Sequence, residues 1–206
     1  MGNCGSKGDS VPLKVALAED YQKLGLPPLP VFQNEIEKEI FITVNMVRNQ
    51  PKRMAKLVPK IKDDKLLSKE AMKALSSLQK RLDKLTPMAP FAYDPNGSKA
   101  CEEFNKSIEA SEEKTVPDGA LLKTMEQLLG GQKRVKGREE STYGWEGDGI
   151  DYVLFVLAEY EGQKKAEVHP MIDKSLKKIG IAMNPHQAFT RVISTVFVDD
   201  FVNMML

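Results

Sequence analysis

The stretch that decides the fold is the C-terminal run Leu176-Lys177-Lys178-Ile179-Gly180-Ile181-Ala182-Met183, then Asn184-Pro185-His186-Gln187, then Phe189-Thr190-Arg191-Val192-Ile193-Ser194-Thr195-Val196-Phe197-Val198-Asp199-Asp200-Phe201. Its two outer pieces are rich in Ile, Val, Phe and Thr, whose branched or aromatic side chains suit a pleated surface. The four residues Asn184 to Gln187 between them read as the turn of a hairpin. Upstream, apolar residues recur at helical rather than alternating spacing. Helices followed by a terminal hairpin predict an α+β domain, with helices packed on a small antiparallel sheet.

Working outward, Ile36, Ile40, Phe41, Val44 and Val47 mark an amphipathic helix, with Asn34 placed to cap its start and Pro51 marking a boundary. Met54, Leu57, Val58 and Ile61 suggest a second, short helix. A third is predicted over Ser68–Leu85, on the stripe Met72, Leu75, Leu78, Leu82 and Leu85. Thr86–Gly97 reads as a loop, with three prolines and an Asn96-Gly97 turn. Helices follow over Ser98–Glu112, over Asp118–Leu129 (stopped by Gly130-Gly131) and over Ile150–Tyr160. The basic stretch Lys133–Arg138 reads as a solvated loop, because it lacks both interleaved aromatics and a Gly-rich phosphate loop.

Residues 1–33 are expected to form an arm ahead of a domain spanning 34–206. Pro12 and the cluster Pro27-Pro28-Leu29-Pro30 favour extended structure there. The arm opens Met1-Gly2-Asn3-Cys4-Gly5-Ser6-Lys7. Gly at position 2, with a small hydroxyl residue at position 6, is the pattern for N-myristoylation of Gly2 after removal of Met1. One myristoyl chain binds membranes only marginally, and Cys4 is placed for a second, palmitoyl chain that would make attachment durable. These residues predict a cytoplasmic protein peripherally anchored on the cytosolic leaflet of a membrane.

Composition agrees with a soluble body. The 206 residues suffice for one well-buried core, with 41% hydrophobic and 29% charged residues. Thirty basic against 29 acidic side chains leave a formal charge of +1, so no global field argues for nucleic acid as a partner. Two cysteines, Cys4 and Cys101, do not make a disulfide framework. The longest apolar run, Val153–Ala158, falls far below the ~20 residues that span a bilayer.

Several pieces, in order, resemble the CAP superfamily (the SCP or cysteine-rich secretory protein domain), in its cysteine-poor intracellular and protist-like branch. Val44-Asn45-Met46-Val47-Arg48-Asn49-Gln50-Pro51 is similar to the family's His-Asn-x-x-Arg helix, and Ala100-Cys101-Glu102-Glu103-Phe104 to its Ala-Ala-x-x-His helix. Tyr143-Gly144-Trp145 resembles the segment near its Gly-Glu-Asn. Leu176–Ala182, Pro185-His186 and Val196–Phe201 resemble its closing strands. The resemblance covers roughly residues 34–203 and implies an α-β-α sandwich. It also implies protein partners, including a homodimer or a larger assembly.

Family members often carry a metal cleft of two His and two acidic residues. At the first cleft His this chain has Phe104, the Gly-Glu-Asn region reads Asp148-Gly149-Ile150-Asp151, and Glu167 falls where the second His is expected. Asp148, Asp151, Glu167 and His169 are therefore the only candidates for a shifted metal site. The simpler expectation is that Asp148 or Asp151 caps the next helix, that His169 lies on the surface, and that no metal or other cofactor is held. His186 is expected to be structural, and Trp145 to be a core anchor. No nucleophile elbow, phosphate loop or H-E-x-x-H helix is present, so no enzyme is expected. The expected function is a non-catalytic, lipid-anchored interaction or scaffold module. Two alternatives stand beside it: a structural component of a ciliary or flagellar (axonemal) cytoskeleton, and a lipid- or sterol-binding CAP protein. In the last case Met46, Met54, Met88, Met125 and Met183 would line a groove rather than fill a core.

Overall fold

A computed structural model describes residues 13–58, 69–112, 117–131, 133–163 and 168–203. Gly2, Cys4, Ser6, Ile61 and Glu167 lie outside the described residues.

The C-terminal run does form the centre of an α+β fold. Strands β3 (Lys178–His186) and β4 (Thr190–Asn203) pair antiparallel, with Ile179 opposite Phe197 and Ile181 opposite Thr195. Two further strands complete a sheet of order β1-β3-β4-β2. The short β1 (Ala92–Tyr93) runs parallel to β3, and the long β2 (Lys133–Tyr143) antiparallel to β4. The sheet is thus antiparallel except at its two-residue edge.

Strand alternation divides the hydrophobic residues between two cores. Ile179, Ile181, Ile193 and Phe197 join the core built with α2 (Glu35–Asn49) and α7 (Gly149–Gly162). Ala182, Val196 and Val198 point the other way, onto α5 (Pro95–Ser107) and α6 (Ala120–Leu128). Because successive residues of a strand face opposite sides, one hairpin supplies both cores. Helices α3 (Pro51–Ala55) and α4 (Lys69–Lys84) extend the first layer, where α4 lies against α7. The result is helices on both faces of a sheet.

Local chemistry explains the helix starts. Asn34 caps α2 by accepting from Glu37 N, and Asp94 caps α5 by accepting from Asn96 N and Gly97 N. Asn96 and Gly97 therefore sit in the first turn of α5, behind Pro95, and not in the turn expected from their sequence. Gly97 and Gly180 lie at the crossing of α5 over β3. A Cβ on Gly180 would come within 2.6 Å of Gly97 Cα, so the absence of both side chains sets the depth of that crossing.

Three other expectations are corrected. Lys133–Arg138 is the first half of β2, paired residue by residue with β4 and interrupted by one register shift at Lys136/Gly137. Asn184, Pro185 and His186 continue β3, so the turn is Gln187–Phe189, ending at Thr190 with φ 65°. The segment read as an extended arm contains a helix, α1 (Leu13–Lys23), which buries Leu17 and Tyr21 one turn apart against α2. Among the described residues no helix is long and apolar enough to cross a membrane.

Candidate functional site

The motif Asn45-x-x-Arg48 is a structural clasp. Both side chains are buried, on the face of α2 directed away from solvent. Asn45 accepts from Phe91 N at 2.7 Å and donates to Phe91 O at 3.2 Å, so it pairs with that residue as a strand would. Arg48 spreads its guanidinium over four backbone carbonyls. Nε donates to Ala89 O (2.7 Å), Nη1 to Met171 O (3.2 Å) and Asp173 O (2.9 Å), and Nη2 to Leu176 O (3.2 Å). Its carbon Cζ lies 3.9 Å from the centre of the Phe91 ring. Burial pulls the Arg48 pKa down to about 10, opposed by Asp173, so the group stays cationic at neutral pH. Together the two side chains tie the loop before β1 and the connection before β3 to α2.

Of the metal candidates, the described Asp148 and Asp151 do not come together with His169. Asp148 caps α7, accepting from Asp151 N, and Trp145 Nε1 donates to Asp148 O. His169 packs edge-on against Tyr160, with ring centres 4.8 Å apart, near the other end of α7. Nine to twelve helical residues separate Asp151 and Asp148 from that end, or about 14–18 Å at 1.5 Å per residue. His169 is 2% exposed rather than on the surface as expected. Its Nδ1 accepts from Met171 N at 3.1 Å, and its Nε2 lies 3.2 Å from Glu140 Oε2. The imidazole therefore fixes the turn before β3 and faces Glu140 on β2. Phe104 is buried in the second core and supplies no ligand.

The remaining sequence candidates are structural. Trp145 is buried and packs on Tyr152 and Phe155. His186 is buried between Tyr143 and Phe189 and accepts from Ala188 N at 3.3 Å, inside the β3–β4 turn. Met46, Met54 and Met125 are fully buried core residues, whereas Met88 lines a cleft.

That cleft went unnoticed in the sequence. It has a volume of about 990 Å³ and opens where the end of α4, the 85–88 loop, β2 and the 168–174 segment meet. Arg81, Lys84, Arg138 and Lys174 line it against a single acidic residue, Asp173. Leu85, Pro87, Met88, Val168 and Ile172 give it apolar walls. Arg81 is ion-paired with Glu161. Arg138 Nη1 donates to Val168 O at 2.6 Å and Nη2 to Tyr160 OH at 3.5 Å. Asp173 Oδ1 accepts from Ser175 N and Ser175 Oγ, both at 2.8 Å, which turns that carboxylate onto its own chain. Helical spacing does hint at the cleft, since Arg81, Lys84 and Leu85 close α4 on one face. The four cations, however, come from three segments distant in sequence.

Compared with models of known protein families, with curated proteins and with solved structures, the chain matches none.

Proposed function

We propose that this protein is a non-catalytic, CAP-like interaction module held at the cytosolic face of a membrane by acylation of Gly2 and Cys4. The observation that carries the reading is the N-terminal sequence Met1-Gly2-Asn3-Cys4-Gly5-Ser6, which satisfies the acylation pattern and places a thiol beside it. Two candidate cleft ligands support the non-catalytic part, because Asp148 caps α7 and His169 fixes the turn before β3. Asn45 and Arg48, the best-matched residues of the family-like motif, likewise hold backbone together and do not line an opening. The 11 residues from Gly2 to Pro12 span at most about 40 Å when extended, so the body would stay close to the bilayer.

Intact-mass measurement of protein from its own cell, before and after hydroxylamine, tests the anchor. The expected species lacks Met1, carries a tetradecanoyl chain on Gly2 and loses a second, thioester-linked chain on treatment. A retained, unmodified Met1 refutes the reading.

A further inference from the structure

We infer that the basic cleft between the end of α4 and the 168–174 segment is a headgroup site for an anionic, phosphate-bearing membrane lipid, a second membrane contact beyond the acylated N-terminus. Its lining carries four cations against Asp173, and with Glu161 paired to Arg81 an excess of two positive charges remains, in a chain whose overall charge is only +1. Local charge of this kind concentrates anions even where the whole molecule is neutral.

The cations divide into two kinds. Arg81 and Arg138 are held in place by Glu161, Val168 O and Tyr160 OH, so the ordering of two long side chains is accomplished in the fold itself. Planar guanidinium groups fixed in this way suit the paired oxygens of a phosphate. Lys84 and Lys174 are exposed on the rim and have no ion pair among the described residues. They supply mobile point charge toward the bilayer surface.

The walls favour a lipid over a small inorganic anion. A volume of about 990 Å³ far exceeds what one phosphate needs, and Leu85, Met88, Val168 and Ile172 offer apolar surface beside the cations. Val168 is 43% exposed at this rim. A headgroup entering among the cations would bring its glycerol and upper acyl carbons against that surface.

The position of the anchor is compatible. Lys14, at the start of α1, lies 4.0 Å from Glu39, while Arg48 O, nine residues further along α2, accepts from Met88 N at the cleft. The separation along α2 is about 14 Å, well inside the reach of the residues before α1. The residues before α1 are therefore long enough to span that separation.

This inference rests on the membrane reading for its setting, and its test removes the anchor so that the two can fail separately. Full-length Gly2→Ala protein is sedimented with vesicles of phosphatidylcholine alone, and with vesicles in which one fifth of the lipid is a phosphatidylinositol monophosphate. Selective binding to the acidic vesicles is expected. Lys84→Gln with Lys174→Gln should weaken it about tenfold to thirtyfold, from roughly 1 kcal/mol per lysine near an anionic surface. The matched pair Lys99→Gln with Lys123→Gln, on α5 and α6 across the sheet, removes the same charge and should change it less than about twofold. Equal losses in the two pairs would mean diffuse charge and overturn the site. So would equal binding to both kinds of vesicle, no binding at all, or complete displacement by millimolar inorganic phosphate, which would identify a free-phosphate site.

Discussion

Replacing Arg48 with Met tests whether the clasp on α2 holds the two connections to the sheet. Methionine retains most of the stem and its packing against Phe91, but removes every donor. Four carbonyls lose a charge-assisted hydrogen bond: those of Ala89, Met171, Asp173 and Leu176. Ala89 and Asp173 are partly open to solvent, so water can replace the guanidinium there. Met171 and Leu176 are buried, 0% and 4% exposed, and their carbonyls would be left without that partner. At about 1–3 kcal/mol for each buried unsatisfied group, those two contribute about 2–6 kcal/mol. Loss of the cation–π contact adds about 1 kcal/mol, and relief from burying a charge offsets part of the total. A net loss of about 3–5 kcal/mol follows, from a stability that for a domain is typically about 5–15 kcal/mol. For a chain of this size that lowers Tm by about 6–20 °C. Arg48→Lys keeps the charge but not the planar fork, and should fall between wild type and Arg48→Met. Urea unfolding gives the magnitude, and amide exchange gives the place: protection should fall first at Ala89–Phe91 and at Met171–Lys177. A loss below about 1 kcal/mol, or exchange that rises evenly over the chain, would refute the clasp.

Other expectations follow from the same contacts. Gly180→Ala places a methyl against Gly97 and the Ser98 amide, so α5 must lift from β3 at a cost of about 3 kcal/mol, measurable by urea unfolding; an unchanged midpoint would contradict the crossing. Glu37 is 3% exposed, and burial raises its pKa above the usual 4.5 even though Met183 N, Gln33 N and Asn34 Nδ2 donate to the carboxylate. With the folded pKa above the unfolded one, its contribution is fully present below the unfolded value and lost as pH rises through the folded value. Wild type should therefore exceed Glu37→Gln in Tm by more near pH ~4 than near pH ~7, and a constant difference would show that the carboxyl titrates alike in both states. Cys101 is fully buried and its thiol is pushed well up, so native protein should resist iodoacetamide at Cys101 until unfolded; peptide mapping that finds rapid native labelling there would be inconsistent with the α5–β3 packing.

The α+β class and most helix positions were legible because periodicity reports burial, and burial is what these elements share. Ile179, Ile181, Ile193 and Phe197 read as strand from their branched and aromatic side chains, which are all buried. The misreadings have physical causes. In β2, Lys133, Arg134, Lys136 and Arg138 surround Val135 in sequence, the one residue of that half shown in a core. A strand with charge at both odd and even positions pairs through its backbone, which periodicity does not report. Such charge is also how an edge strand discourages unwanted pairing. Asn96-Gly97 carries hairpin composition, yet Asp94 and Pro95 immediately before it make a helix cap and a first helical residue, and the cap decides. Pro185 looks like a breaker, but β1 pairs only Lys178 and Ile179, so beyond them that side of β3 faces no partner strand among the described residues and tolerates proline. Helix α1 was missed because its two buried residues, Leu17 and Tyr21, are a weak stripe beside the exposed Leu13 and Val15.

The cleft was illegible for a different reason. Strands and helices announce themselves through neighbours in sequence, whereas Arg81, Arg138 and Lys174 are brought together only by tertiary structure. Arg48 and His169 make that meeting possible. Arg48 binds Met88 through the backbone (Met88 N to Arg48 O, 2.9 Å) and the 171–176 segment through its guanidinium, while His169 fixes the same segment to Met171 N and faces Glu140 on β2. The walls of the cleft are thus positioned by two buried cationic or titratable side chains that never enter it. Exposed Lys84 and Lys174 can change without disturbing those supports, whereas Arg48 cannot. Substitutions at the lysines should therefore alter membrane partition at constant stability. Arg48→Met should lower stability and, because it loosens the 171–176 wall, weaken partition in folded protein as well. Unchanged vesicle binding by fully folded Arg48→Met would show that the clasp does not position the cleft.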